Sequence, residues 1–288
     1  MTDVRVFCER PSESLAKISR LFRESHSNHR FVRLRDPQAA RRRHEVIINW
    51  GSSQGPSANS GLILNPPTAV DVTSNKRSFM NLMSGIDMVP MSFISYGDTV
   101  AYILSLNDTQ RAETKFVLRD VLKGHSGQGI RLLSAQEVLE YDADRVGTRW
   151  PRLVTLYMKK EEEYRVHFYK ASNGVINIAR TQQKFRNRDV PNEDVNWQIR
   201  NHHTGFIYGA VRDMEIATPK YQSMMTVVNA VAIRSCLDFG AMDLIYHRNY
   251  GFRVLEINTA PGLEGESVSV YASMFLNFAQ RLATAPNN

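Results

Sequence analysis

Residues 239–263 read FGAMDLIYHRNYGFRVLEINTAPGL, two apolar runs around the turn-like Arg248, Asn249, Tyr250 and Gly251. Such a pattern folds as a β-hairpin. A turn symmetric about Asn249 and Tyr250 places Asp243 directly opposite Glu256, and because alternate residues of a strand share a face, Asn258 joins them. The same reading puts Ile245, Phe252 and Val254 on that face, so it is no solvated charge stripe, and two like charges there need a compensating partner. One partner is a divalent cation: two carboxylates and a carboxamide are hard oxygen donors that suit Mg²⁺ or Mn²⁺ better than a thiolate- or imidazole-bound metal. The other reading is a carboxyl pair that shares a proton or bonds an arginine such as Arg165 or Arg180.

The remaining chain is long enough to surround such a hairpin with folded lobes. At 288 residues, with 42% hydrophobic and 23% charged residues, it is excluded from the disordered and collagen-like classes. No apolar run approaches the roughly 18 residues of a membrane span, and Asp3, Arg5, Glu9 and Arg10 occupy the place of a signal peptide's apolar stretch. No membrane partner is expected. Cys8 and Cys236 have apolar neighbours and are expected to be reduced, buried thiols of a cytoplasmic protein. The net charge is +7, and the first fifty residues carry eleven basic and six acidic side chains. Arg41, Arg42 and Arg43 fit either an anionic partner such as nucleic acid or a solvated loop entering a strand.

Hydrophobic periodicity predicts an α/β beginning: a strand over 4–8, an amphipathic helix over 12–23, and strands over 31–34 and 46–49, followed by a loop over 51–59 and the short apolar run 62–64. Pro66-Pro67 reads as a breaker, with a boundary near residue 70. Ser74 is read as the cap of a helix through Lys76, Phe79, Leu82 and Met83, followed by an extended 91–94 and a helix over 98–106. Strands over 115–119 and 130–133 and a helix over 134–141 complete an α+β lobe. Beyond it lie strands over 153–158, 165–169 and 175–181, a long loop, a helix over 220–237, the hairpin, and a final helix over 267–282. Lys123, Gly124, His125, Ser126, Gly127, Gln128 and Gly129 form a glycine-bearing loop between two strands. It suits either a phosphate-cradling nest or a plain hairpin, and it matches neither the Walker nor the dinucleotide spacing.

The order of glycine-rich loop, hinge, E-Y-R strand and D…E-I-N-T-A-P-G resembles the ATP-grasp superfamily of carboxylate–amine ligases, especially D-alanine–D-alanine ligases and ribosomal-protein glutamate ligases. The resemblance covers about residues 70 to 265 and extends to compact ATP-grasp proteins of bacteriophages. It implies α/β and α+β architecture, with a pre-ATP-grasp domain over 1–72, a small lobe over 73–150 and a C-terminal lobe over 151–288 enclosing the nucleotide. Asp243, Glu256 and Asn258 match the family's metal trio in type and spacing. Lys76 matches a phosphate-side lysine, and Arg119 stands where the family commonly has lysine, a change that keeps the charge but alters its geometry. Gly124, Ser126, Gly127 and Gly129 match the phosphate loop, Tyr157 and Met158 the adenine-binding hinge, and Glu163 the ribose carboxylate. Arg180, Arg165 and Lys184 would face the transferred phosphoryl group, Arg180 foremost. Asn201, Gly262, Glu264 and Ser267 would face substrate. Ala241 departs from the arginine of D-alanine ligases, which argues against dipeptide ligation.

What the resemblance implies is an ATP- and Mg²⁺-dependent (or Mn²⁺-dependent) ligase that makes an amide through an acyl phosphate. Its partners would be a small-molecule carboxylate and amine, or a protein or nucleic-acid acceptor, with a homodimer left open. Two other readings stay beside it: a nucleic-acid-associated protein with a secondary ATP site, and a phosphotransferase that stops at phosphorylation.

Overall fold

A computed structural model describes residues 2–26, 28–36, 46–56, 62–123, 129–141, 150–201, 204–211 and 218–281. Arg41, Arg42 and Arg43 lie outside them. Strands β1 (Thr2–Phe7), β2 (His29–Leu34), β3 (Val46–Asn49) and β4 (Leu62–Leu64) form a parallel sheet in the order β2-β1-β3-β4. The crossover helix Glu13–Ser25 begins where Ser12 Oγ accepts the Leu15 N–H at 3.3 Å. Its Leu15, Ile18 and Phe22 recur at helical spacing and pack on Val4, Val6 and Ile48. The last helix, Glu266–Arg281, returns to this same core through Tyr271, Phe275 and Phe278.

Strands β5 (Ser92–Phe93), β6 (Lys115–Arg119), β7 (Ile130–Ser134) and β8 (Leu153–Leu156) make an antiparallel sheet in the order β5-β8-β6-β7, so the small sheet draws its second strand from beyond residue 150. Alternation divides β6: Phe116 and Leu118 enter a core with Ile103, Ala135 and Val138, while Val117 and Arg119 face the opposite way.

A third, antiparallel sheet contains β9 (Glu162–Lys170), β10 (Ile176–Arg186), β11 (Phe206–Ala210), β12 (Phe239–His247) and β13 (Gly251–Asn258), in the order β11-β10-β9-β12-β13. Tyr164, Val166, Phe168, Met242 and Leu244 pack beneath Met224, Val228 and Val231 of the helix Pro219–Ser235. Val70, Phe79 and Met80, from two short helices at 67–82, join that core. Buried Asn65 ties the first sheet to the third: its Oδ1 accepts the N–H groups of Asp238 and Phe239 at 2.8 and 3.1 Å, and its Nδ2 donates to Phe239 C=O at 3.0 Å.

Several local expectations are corrected. Pro67 opens the helix Pro67–Ser74 instead of breaking structure, because the first helical turn has no use for its missing N–H. Asn75, not Ser74, caps Lys76–Leu82, its Oδ1 accepting the N–H groups of Arg77 and Ser78 at 3.1 and 3.2 Å. Strand β11 lies within the stretch read as a long loop. Cys8 is buried, but Cys236 is exposed, because it ends its helix in a left-handed conformation with φ of 55°. Both thiols are free. Among the described residues no helix is long and apolar enough to cross a membrane.

Candidate active site

The hairpin brings Asp243 opposite Glu256, as expected, by an unexpected route. At the turn His247 pairs with Gly251, which leaves a three-residue loop one residue longer than the symmetric reading, and the pairing continues to Leu244 with Val254. A bulge at Leu255 then shifts the register, so that Asp243 meets Glu256 and Ala241 meets Asn258. The bulge also corrects the face: Phe252 and Val254 belong to the apolar core, whereas Leu255 and Ile245 accompany the two carboxylates.

Asp243 and Glu256 line a cavity of about 580 Å³ between the small sheet and the large one. Asp243 is 6% exposed and accepts a two-pronged contact from Arg165, Nε to Oδ1 at 2.7 Å and Nη2 to Oδ2 at 2.8 Å. Burial alone would raise the Asp243 pKa, but the Arg165 guanidinium overrides it and holds the carboxyl below the usual range. Glu256 pairs with Lys76 Nζ at 3.0 Å. Cations therefore compensate the carboxylate pair, and the arginine is Arg165. Arg180 has Nη1 3.3 Å from Glu266 and is not among the cavity-lining residues.

Glu163, 3% exposed, lines the same cavity. Lys160 Nζ donates to it at 2.6 Å, and Lys184 Nζ donates both to it and, at 2.7 Å, to Arg200 C=O. Burial lowers the Lys160 pKa against the pull of Glu163. Arg119 Nη1 donates to Thr155 Oγ1 at 3.0 Å while its buried Nε has no protein partner; burial lowers its pKa, and the Glu256 charge works the other way. Tyr208 sits beneath the guanidinium of Arg165, 4.5 Å from Cζ to the ring centre. Lys160, Arg200 and Tyr208 are not among the residues the sequence points to: Lys160 and Arg200 are set by loops, and Tyr208 stands on β11, inside the stretch expected to be a loop.

Tyr157, Met158, Asn201, Gly262 and Glu264 line the cavity too. The Tyr157 N–H donates to Lys115 C=O at 2.8 Å. Asn201 Oδ1 accepts the Thr204 N–H at 3.0 Å, and Glu264 pairs with Lys17 of the N-terminal unit at 2.6 Å. Gly129, with φ of 70°, closes the β6–β7 hairpin, its C=O accepting the Asp120 N–H at 3.2 Å. Gly124, Ser126 and Gly127 lie outside the described residues. Asn258 and Ser267 are off the cavity wall, and each holds a buried side-chain atom, Nδ2 and Oγ, without a partner.

Among the described residues no three His, Cys, Asp or Glu side chains form a metal cluster. A cation here would draw on the carboxylates of Asp243 and Glu256, hard oxygen donors that fit a divalent ion completed by phosphate and water, whereas Asn258, off the cavity wall, would join them only by turning its Oδ1 inward.

No protein-family model and no curated protein matches the sequence. Solved structures do match in shape. The ATP-grasp ligase PsnB complexed with a minimal precursor superimposes with a TM-score of 0.63 at 12% identity, covering 96% of this chain and 100% of that one. The D-alanine–D-alanine ligase of Bacillus anthracis gives 0.60 at 12% identity over 98% of each chain. The macrocyclase MdnC of Microcystis aeruginosa, bound to its precursor peptide MdnA, gives 0.58 at 12% identity over 96% of this chain and all of that one. The chain has the ATP-grasp fold.

Proposed function

We propose that the protein is an ATP-dependent ligase that joins a carboxylate to an amine. The observation that carries this reading is the charge balance of one cavity in an ATP-grasp fold: six cations, Lys76, Arg119, Lys160, Arg165, Lys184 and Arg200, surround four carboxylates, Glu163, Asp243, Glu256 and Glu264. An excess of positive charge in a low-dielectric cleft suits a polyphosphate.

Val117, Ile130 and Met158 offer apolar walls to a purine. Because the Tyr157 N–H is engaged, Met158 is the hinge residue assigned to the base edge. Glu163 accepts the ribose hydroxyls once Lys184 turns from it toward the phosphates. Lys76, Arg119 and the 124–129 loop hold the phosphate chain. Asp243 and Glu256, with Asn258 if its Oδ1 turns toward them, would hold Mg²⁺ or Mn²⁺, which would supply charge neutralisation for the polyphosphate. Arg165 and Lys184 stabilise negative charge as the substrate carboxylate takes the γ-phosphoryl group and ADP leaves. Amine attack on the acyl phosphate then expels phosphate and forms the amide, with Asn201, Gly262, Glu264 and Ser267 on the substrate side. Arg180 stands behind this wall, paired with Glu266, and serves substrate binding only if that pair opens.

PsnB and MdnC have been solved with precursor peptides, which favours a peptide or protein acceptor over nucleic acid. Incubation with ATP, Mg²⁺, hydroxylamine and a panel of carboxylates that includes acidic peptides tests the reaction. Formation of ADP together with a hydroxamate supports it. Phosphate transfer to a hydroxyl without hydroxamate would establish the phosphotransferase reading instead.

A further inference from the structure

His167 lies inside the large sheet with no exposed surface, where an imidazole needs a partner for each nitrogen. Its Nδ1 is 3.0 Å from the Tyr271 hydroxyl, and its Nε2 is 3.1 Å from Oε1 of Gln182. The buried Tyr271 hydroxyl is also 3.2 Å from Gly240 C=O, on the strand that carries Asp243. A carbonyl only accepts, and a phenol has one proton. Both Tyr271 contacts are satisfied together only if Tyr271 donates to Gly240 and accepts from His167 Nδ1–H. Burial keeps the imidazole neutral, its pKa lowered to about 4, so Nε2 then carries a lone pair. An amide oxygen at 3.1 Å would oppose two acceptors, and a half-turn of the carboxamide brings its N–H there instead.

Gln182 lines the cavity and pairs across the sheet with Arg165. We infer that His167 and Tyr271 lock the Gln182 carboxamide with its oxygen toward the cavity, where it accepts an N–H of the amine substrate. His167 and Tyr271 are positioning residues; Gln182 is the group that touches substrate. The identity of the donor as an amine rests on the ligase reading, whereas the lock does not.

Nitrogen-15 NMR of the full chain with labelled histidine tests the lock without nucleotide or turnover, so its failure is separable from failure of the ligase reading. The lock requires the His167 proton on Nδ1 in the wild type. Tyr271→Phe removes the acceptor for that proton and is expected to move it to Nε2. Should that variant not fold, Gln182→Glu, at the cavity wall, places an acceptor-only group beside Nε2 and is expected to draw the proton the same way. A wild-type proton on Nε2, or an Nε2 that stays unprotonated in the folded variants, overturns the inference. In the ligase assay Gln182→Met should raise the KM for the amine about tenfold and leave that for ATP unchanged; an unmoved amine KM would remove the substrate contact.

Discussion

On one face of the large sheet Tyr164, Val166, Phe168, Met242 and Leu244 are sealed beneath the helix Pro219–Ser235; on the other, one residue along each strand, Arg165, His167 and Asp243 are nearly as enclosed but polar. The first face is held by area removed from water and by close packing. The second is held by reciprocity: each charge is tolerable because its partner is present. An apolar face loses stability in proportion to what is removed, whereas the polar face loses most when one partner goes and regains it when both go.

Truncating Phe168 to alanine, at a site with no exposed surface, should cost about 4–5 kcal/mol in denaturant unfolding. A loss under about 1 kcal/mol would break the contrast between the faces. Arg165→Met leaves Asp243 buried and unpaired and should cost about 3–4 kcal/mol. Adding Asp243→Asn to it should recover about half of that, and simple additivity of the two substitutions would contradict a reciprocal face.

His167 sharpens the comparison through pH. Its folded pKa, lowered to about 4 by burial, lies below the unfolded value of about 6.5. As pH falls, the unfolded chain takes up the proton first, so stability is intact above pH 6.5 and declines toward pH 4, by about 3 kcal/mol in all. The depressed pKa of Asp243 acts in the same direction at lower pH: its contribution is present above the unfolded carboxylate value and is lost as pH falls through the folded one. Unfolding measured at steps between pH 7 and 4 should show a flatter profile in His167→Gln than in the wild type. Equal slopes would remove His167 from the account. The smallest effect is expected at Glu256, whose pairing with Lys76 is partly solvated, with its side chain 32% exposed; Glu256→Ala should cost less than about 1 kcal/mol without ligand.

The sequence made the polar face legible in part, for a physical reason: cross-strand pairing and strand alternation are local rules, so Asp243 and Glu256 could be placed opposite each other from spacing. The bulge at Leu255 could not, because a register shift depends on how the strand bends over its neighbours, and here it offset the longer turn. The exchange of Val254 for Leu255 on the cavity face follows from the same bulge. Lys160 and Arg200 lie outside the periodic segments; their positions follow from loops that fold around Glu163. The helix at Pro67 was hidden because a proline that breaks a helix interior is welcome at its first turn. Ser267 and Gly262 fell within a recognisable segment, yet only the fold separates them, Gly262 on the cavity wall and Ser267 behind it.

The most direct test of the nucleotide site is a pair of melting curves, wild type and Glu256→Ala, each with and without a non-hydrolysable ATP analogue plus Mg²⁺. A ligand at about one hundred times its Kd adds about 2.7 kcal/mol, a rise of several degrees for a chain of this size. The account predicts a Mg²⁺-dependent rise in the wild type that disappears in Glu256→Ala while the ligand-free melting temperatures stay close together. The same rise in both proteins, or none in the wild type at any concentration, would contradict it.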